Sequence, residues 1–267
     1  MLSYDSLVSQ ARERGMPPAK LRGAAREYLQ VLVLKTLYSR KGAERLIFLG
    51  GTALRLGHGL PRFSEDLDFD AAGLRAPAWK SLLEATAHAL GQAGLPADVS
   101  AGERGTLLTG ELRFRGFLQA YGLTKDPGEK LRVKVEANRP RYPLASEPRV
   151  ISGFGEIFPV PFAAPGLIFA EKILALLSRE MARDVFDACF LAGKRWVPDP
   201  SVLRRAGLRE PPAQAILGRV KSFGAAKLRR MARQLEPFLF EPAQARLVEQ
   251  ARELLPEMLT YLEKPSS

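Results

Sequence analysis

Strand-like and helical spacing of apolar residues alternate up to about residue 160 of this 267-residue chain and only helical spacing follows, which limits it to a layered αβ core followed by helices. Arg45–Leu49 is a short apolar run ending at Gly50-Gly51, the pattern of a buried strand entering a tight turn. Thr52–His58 then reads as a short helix closed by Gly57 and Gly59, and Asp66–Phe69 as a second strand. Leu131–Ala137 alternates, with Leu131, Val133 and Val135 on one face and Arg132, Lys134 and Glu136 on the other. Further strands are predicted near Val99 and over Leu107–Phe114. Two helices belong to the same region, residues 17–40 (Leu21, Ala25, Tyr28, Leu29 and Leu32 inward) and Trp79–Gly94 (Leu82, Leu83, Thr86 and Leu90 inward). The proline-rich stretch 140–165 predicts a loop. Beyond it only helical spacing remains: from Pro165 to about Arg179, over Arg183–Ala192, and in several short pieces after Pro198 and Pro200. The expected class is α+β: a small mixed β-sheet domain with an N-terminal helix over residues 1–160, then a helical domain over 161–267.

The apolar runs, such as Val31–Leu34 and Ile173–Leu177, fall far short of the ~20 residues that cross a bilayer. The first residues lack a basic region leading into an apolar stretch. One cysteine, Cys189, excludes an intrachain disulfide and a cysteine-built metal site. A cytoplasmic protein without membrane association is expected. The net charge of +11 favours polyanionic partners, and its distribution is uneven. Residues 194–234 hold eleven basic and two acidic residues, whereas the tail from Leu235 holds three and six. Such a run reads either as a nucleic-acid track or as a solvated helical surface.

Asp66-Leu67-Asp68 carries the chemistry. On a strand, residues i and i+2 share a face, so both carboxylates point one way while Leu67 enters the core. Adjacent carboxylates repel unless a cation lies between them, and hard oxygen donors in this arrangement suit Mg²⁺ in phosphoryl chemistry. The spacing alone is common on exposed strands. Upstream, Gly50-Gly51-Thr52 stands at a strand-to-helix junction, where glycine lets a backbone approach phosphate and the helix start offers unpaired N–H donors. Arg62 and Ser64 lie between the two elements and can add a cation and a hydroxyl. Glu136 is a candidate third carboxylate, with Lys134 beside it; a solvated edge position is the alternative. A second cluster comprises Glu171-Lys172, Arg179, Arg183, Asp184 and Asp187. It suits either a triphosphate pocket or an ion pair joining two helices.

Together these blocks are Gly50-Gly51-Thr52-Ala53-Leu54, Arg62-Phe63-Ser64-Glu65-Asp66-Leu67-Asp68-Phe69, Val133-Lys134-Val135-Glu136, Glu171-Lys172-Ile173-Leu174-Ala175-Leu176 and Arg183-Asp184-Val185-Phe186-Asp187. In this order, over residues 45–192, they resemble the AbiEii-type nucleotidyltransferase toxins of type IV toxin–antitoxin systems, which include the mycobacterial MenT group and belong to the DNA polymerase β-like superfamily. The resemblance implies an enzyme that transfers NMP from an NTP to an acceptor, using Mg²⁺ or Mn²⁺. It implies that Asp66 and Asp68 hold the metal, with Glu136 as third ligand or proton acceptor. Gly50, Gly51, Thr52, Arg62 and Ser64 bind nucleotide, and Lys172 and Asp184 complete the site from the helical domain. Many superfamily members have Gly-Ser where this chain has Gly50-Gly51, so a phosphate-binding hydroxyl must come from Thr52 or Ser64. The expected acceptor is RNA, foremost the tRNA 3′ end. A protein or small-molecule acceptor, or a silent NTP- and RNA-binding regulator, are the alternatives. A cognate antitoxin that forms no stable complex is expected.

Overall fold

A computed structural model describes residues 1–71, 73–140 and 145–262. The chain divides into two compact units, Met1–Ala163 and Ala164–Ser267.

The first unit opens with helix α1 (Tyr4–Glu13), whose Ser3 caps the N-terminus by accepting from the Ser6 amide at 3.2 Å. Helix α2 (Leu21–Tyr38) follows, then strand β1 (Leu46–Leu49) and helix α3 (Gly50–His58). Next come β2 (Asp66–Ala71), α4 (Ala76–Gln92), β3 (Ala97–Arg104), β4 (Leu107–Arg115) and the single turn α5 (Phe117–Ala120). Strands β5 (Lys130–Asn138), β6 (Ser146–Gly153) and β7 (Glu156–Ala163) complete the unit. All seven strands form one sheet in the order β3-β4-β5-β2-β1-β7-β6. It is mixed: β2 runs parallel to β5 and β1 parallel to β7, while the other neighbours are antiparallel. The expected α+β class with a mixed sheet and helices is therefore the fold of this protein.

Helix α2 packs on β5, β7 and α4, and buries Ala24, Ala25, Tyr28, Leu29, Val31, Val33, Leu34 and Leu37. Leu21 and Leu32, expected inward, are only half-buried. The buried set spreads around the helix because neighbours cover it on several sides. Glu27 is buried with it, and its carboxylate accepts from Arg14 and Arg55 at 3.0 Å each. That bracket ties the end of α1 to α2 and α3, and two guanidiniums compensate one desolvated carboxylate.

The loop expected over residues 140–165 is corrected over two segments, and residues 141–144 lie outside the described residues. Ser146–Gly153 and Glu156–Ala163 form a hairpin that extends the sheet. Pro148, Pro159 and Pro161 hid these strands, because proline cannot donate to a ladder. The topology tolerates them. Strand β6 is an edge strand, and β1 registers with β7 only at Phe48↔Phe162, so positions that require no donor exist along both. Phe158, Val160 and Phe162 alternate into the core between the prolines.

The second unit is helical: α6 (Pro165–Ser178), α7 (Ala182–Gly193), α8 (Pro200–Arg205), α9 (Pro212–Ser222), α10 (Ala225–Leu235), α11 (Arg246–Glu249) and α12 (Ala251–Met258). Three of these start with proline at the first position, where its missing N–H has no helical partner to lose. Helix α7 is central and packs on α6, α10, α11 and α12. Its Val185, Phe186, Ala188, Cys189 and Leu191 are buried. Among the described residues no helix is long and apolar enough to cross a membrane.

Candidate active site

Strand β1 ends in extended backbone at Leu49, and Gly50 turns the chain directly into α3 at φ +80°. The helix thus begins two residues earlier than the sequence pattern indicates. No side chain caps it, so the amides of its first turn have no helical acceptor and form an anion-binding end. What surrounds this end is fixed by close packing. A Cβ at Gly50 would overlap the Asp68 carboxylate, and a Cβ at Gly51 would come within 2.5 Å of Ser64 Oγ and 3.1 Å of an Arg62 terminal nitrogen. Gly50, Gly51, Arg62, Ser64 and Asp68 are therefore brought together.

Two further contacts set the loop before β2. Gln30 on α2 donates to the Ser64 carbonyl at 3.1 Å, and Arg26 pairs with Glu65. Arg62 is buried and donates to the Phe63 carbonyl at 3.0 Å. The Thr52 hydroxyl is buried and donates to the Asp66 carbonyl at 2.5 Å. It thereby joins the start of α3 to the start of β2. Of the two hydroxyls considered for phosphate binding, only that of Ser64 makes no hydrogen bond among the described residues.

The carboxylates lie as alternation requires. In the parallel β2–β5 pair, Asp66 is opposite Lys134 and Asp68 is opposite Glu136, on strands ~4.8 Å apart. Leu67, Phe69, Val135 and Ala137 turn to the buried face. Asp66, Asp68 and Glu136 are half-buried and Lys134 is exposed. Among the described residues, the carboxylates of Asp66 and Glu136 make no ion pair or hydrogen bond, despite the net charge of +11. Carboxylates that share one strand face are hard oxygen donors of the kind a divalent cation takes. No group of three or more His, Cys, Asp or Glu side chains is drawn together as a metal cage among the described residues. Asp66 and Asp68 share one face of β2, and Glu136 on β5 is the neighbour of Asp68. Asp70, absent from the sequence-based set, continues the same face inward and is 1% exposed.

In the helical unit, an ion pair joins the two helices, one of the two readings of this cluster. Lys172 on α6 binds Asp187 on α7 at 2.7 Å. Asp184 instead accepts two bonds from Arg179, at 2.7 and 2.8 Å. Both aspartates are fully buried, Lys172 is 9% exposed, and the Arg179 side chain keeps 44% exposure. Asp184 lies in the first turn of α7, where the helix dipole favours an anion. Asp187 is the residue that sequence reasoning left out of the site. Its spacing of three from Asp184 placed both acids on one side of the helix but did not say which cation each meets.

His58 is half-buried and stands edge-on to the Phe162 ring at 6.0 Å between centroids.

A mixed sheet thus sets a glycine-turned helix start against a strand bearing paired aspartates. Residues 32–260 match the family described as nucleotidyl transferase AbiEii toxin, type IV TA system. The chain belongs to this family and is a nucleotidyltransferase. No curated protein sequence matches it. Among solved structures, JHP933 from Helicobacter pylori shares 23% identity and a TM-score of 0.50, over 91% of this chain and 98% of that one. MenT4, a nucleotidyltransferase toxin from Mycobacterium tuberculosis H37Rv, shares 18% identity and a TM-score of 0.54, over 98% of this chain and 94% of that one. At these identities the likeness concerns the fold.

Proposed function

We propose that this nucleotidyltransferase transfers NMP from an NTP to an RNA hydroxyl, the tRNA 3′ end being the acceptor, and acts as a cytoplasmic type IV toxin. The observation that carries the reading is the convergence of Asp68, Ser64 and Arg62 on the open N-terminus of α3. Amides of Gly50–Thr52, the Ser64 hydroxyl and the Arg62 guanidinium supply donors for triphosphate oxygens. Asp66 and Asp68 would hold Mg²⁺ or Mn²⁺, which supplies Lewis-acid stabilisation of phosphate charge when bound. Glu136 accepts the proton as the acceptor oxygen bonds to Pα, and the Pα–O bond to pyrophosphate breaks. Lys172, whose ammonium Asp187 holds, is the cation that the family pattern assigns to the triphosphate. Asp184 holds Arg179 and so positions the neighbouring helix end. The cognate antitoxin counteracts the toxin without forming a stable complex.

The test incubates the protein and its Asp66→Ala variant with total tRNA, each labelled NTP and Mg²⁺ or Mn²⁺. Label on tRNA with the wild type alone, lost on chelation, is expected. Label on protein or on a small molecule instead would overturn the RNA acceptor, and no label under any condition would overturn turnover.

A further inference from the structure

Helix α10 has the sequence AAKLRRMARQL, with four cations and no acid. Leu228, Met231, Ala232 and Leu235 are buried, so the cations occupy the remaining surface. They are not equivalent. Lys227 pairs with Glu180 and lies 4.9 Å from the Phe223 ring centroid. Arg219 on α9 sits 4.7 Å from the same ring and donates to the carbonyls of Leu176 and Arg179. These two cations bind the helices to one another. Glu180 is already held below the usual carboxylate range, chiefly by its bond to Lys227, with Arg219 and Arg230 contributing.

Arg229, Arg230 and Arg233 are exposed. Arg229 and Arg233 stand four apart on one face, a spacing at which like charges destabilise a helix. The preceding α9 adds Arg219 and Lys221 and again no acid. The mutual repulsion of Arg229 and Arg233 is a cost that a bound polyanion would offset. Guanidinium forks match phosphate oxygens in pairs. Four residues of helix rise separate Arg229 from Arg233 by about 6 Å along the axis, so their side chains can reach neighbouring phosphates.

We propose that the exposed face of α10, through Arg229 and Arg233 with Arg230 beside them, docks the phosphate backbone of the RNA acceptor. This rests on the RNA reading above and locates it on one helix.

The experiment measures binding of fluorescently labelled total tRNA from 50 to 200 mM KCl, using full-length protein. Four proteins are compared: wild type, Arg229→Ala/Arg233→Ala, the charge-keeping Arg229→Lys/Arg233→Lys, and Arg40→Ala/Lys41→Ala as an equal charge loss on the first unit. Losing two phosphate contacts should flatten the salt slope by about 1.4, so that wild type loses about sevenfold more affinity than the α10 alanine pair across this range. The lysine pair and the first-unit pair should keep the wild-type slope. Wild-type binding with an unchanged slope in the α10 alanine pair overturns the docking surface and leaves the RNA reading intact. Equal flattening in both alanine pairs also overturns it, since only overall charge then matters. Failure of the wild type to bind any tRNA overturns the RNA reading itself.

Discussion

Gly50 and Gly59 bracket α3 with nearly the same backbone, φ +80° and +77°, but with different surroundings. A Cβ at Gly59 meets nothing within 4 Å, whereas one at Gly50 overlaps the Asp68 carboxylate. Gly59→Ala should therefore add only the left-handed strain, roughly 1–2 kcal/mol. Gly50→Ala adds the overpacking of a filled space, roughly 1–3 kcal/mol more, for a total of about 2–5 kcal/mol. The added part falls on the aspartate that the proposed chemistry needs. Asp68 must move away from the helix start, so transfer activity should drop at least tenfold in Gly50→Ala at a temperature where the variant is still folded. Activity in Gly59→Ala should stay near that of wild type. Urea unfolding and the tRNA-labelling reaction on both variants provide the readouts. Equal destabilisation of the two, together with full activity in Gly50→Ala, would refute the argument that the glycine exists to admit Asp68.

In the helical unit, Lys172→Ala removes the ammonium 2.7 Å from the buried Asp187 carboxylate and should destabilise by roughly 3–5 kcal/mol. Lys172→Met with Asp187→Leu should recover most of that stability in urea unfolding while transfer remains lost; recovery of both would make the pair purely structural. Cys189 is pushed up to about 12 by burial, with Asp187 adding to the shift. Its thiol should therefore resist disulfide reagents at pH 8.5 until the unit unfolds. An unfolded thiol ionises from about 8.5. Stability from this group is thus complete below that pH and falls as pH rises from there toward 12, a loss that Cys189→Ala should remove. Fast labelling of the folded protein would contradict this burial.

Much of the site was legible because its signals are local. Asp66 and Asp68 share a face through the period of two, and Lys134 and Glu136 share one for the same reason. Gly50-Gly51 after an apolar run marked the turn into α3, although the helix takes in both glycines. The hairpin of β6 and β7 was not legible. Proline argues against a strand until one knows that β6 is an edge and that β1 touches β7 at a single register position.

The sequence by itself determined the class of the fold, the strand carrying the aspartates and the helices of the second unit, since periodicity and turn chemistry act within a few residues. The tertiary structure decided which groups meet. It placed Glu136 beside Asp68 and brought Ser64 and Arg62 under Gly51. It spent the Thr52 hydroxyl on the Asp66 carbonyl, and it paired Lys172 with Asp187 while leaving Asp184 to Arg179. Partners at long separation are chosen by strand order and helix packing. A carboxylate three residues from another offers the same charge in sequence, and only the approach of the neighbouring helix distinguishes the two.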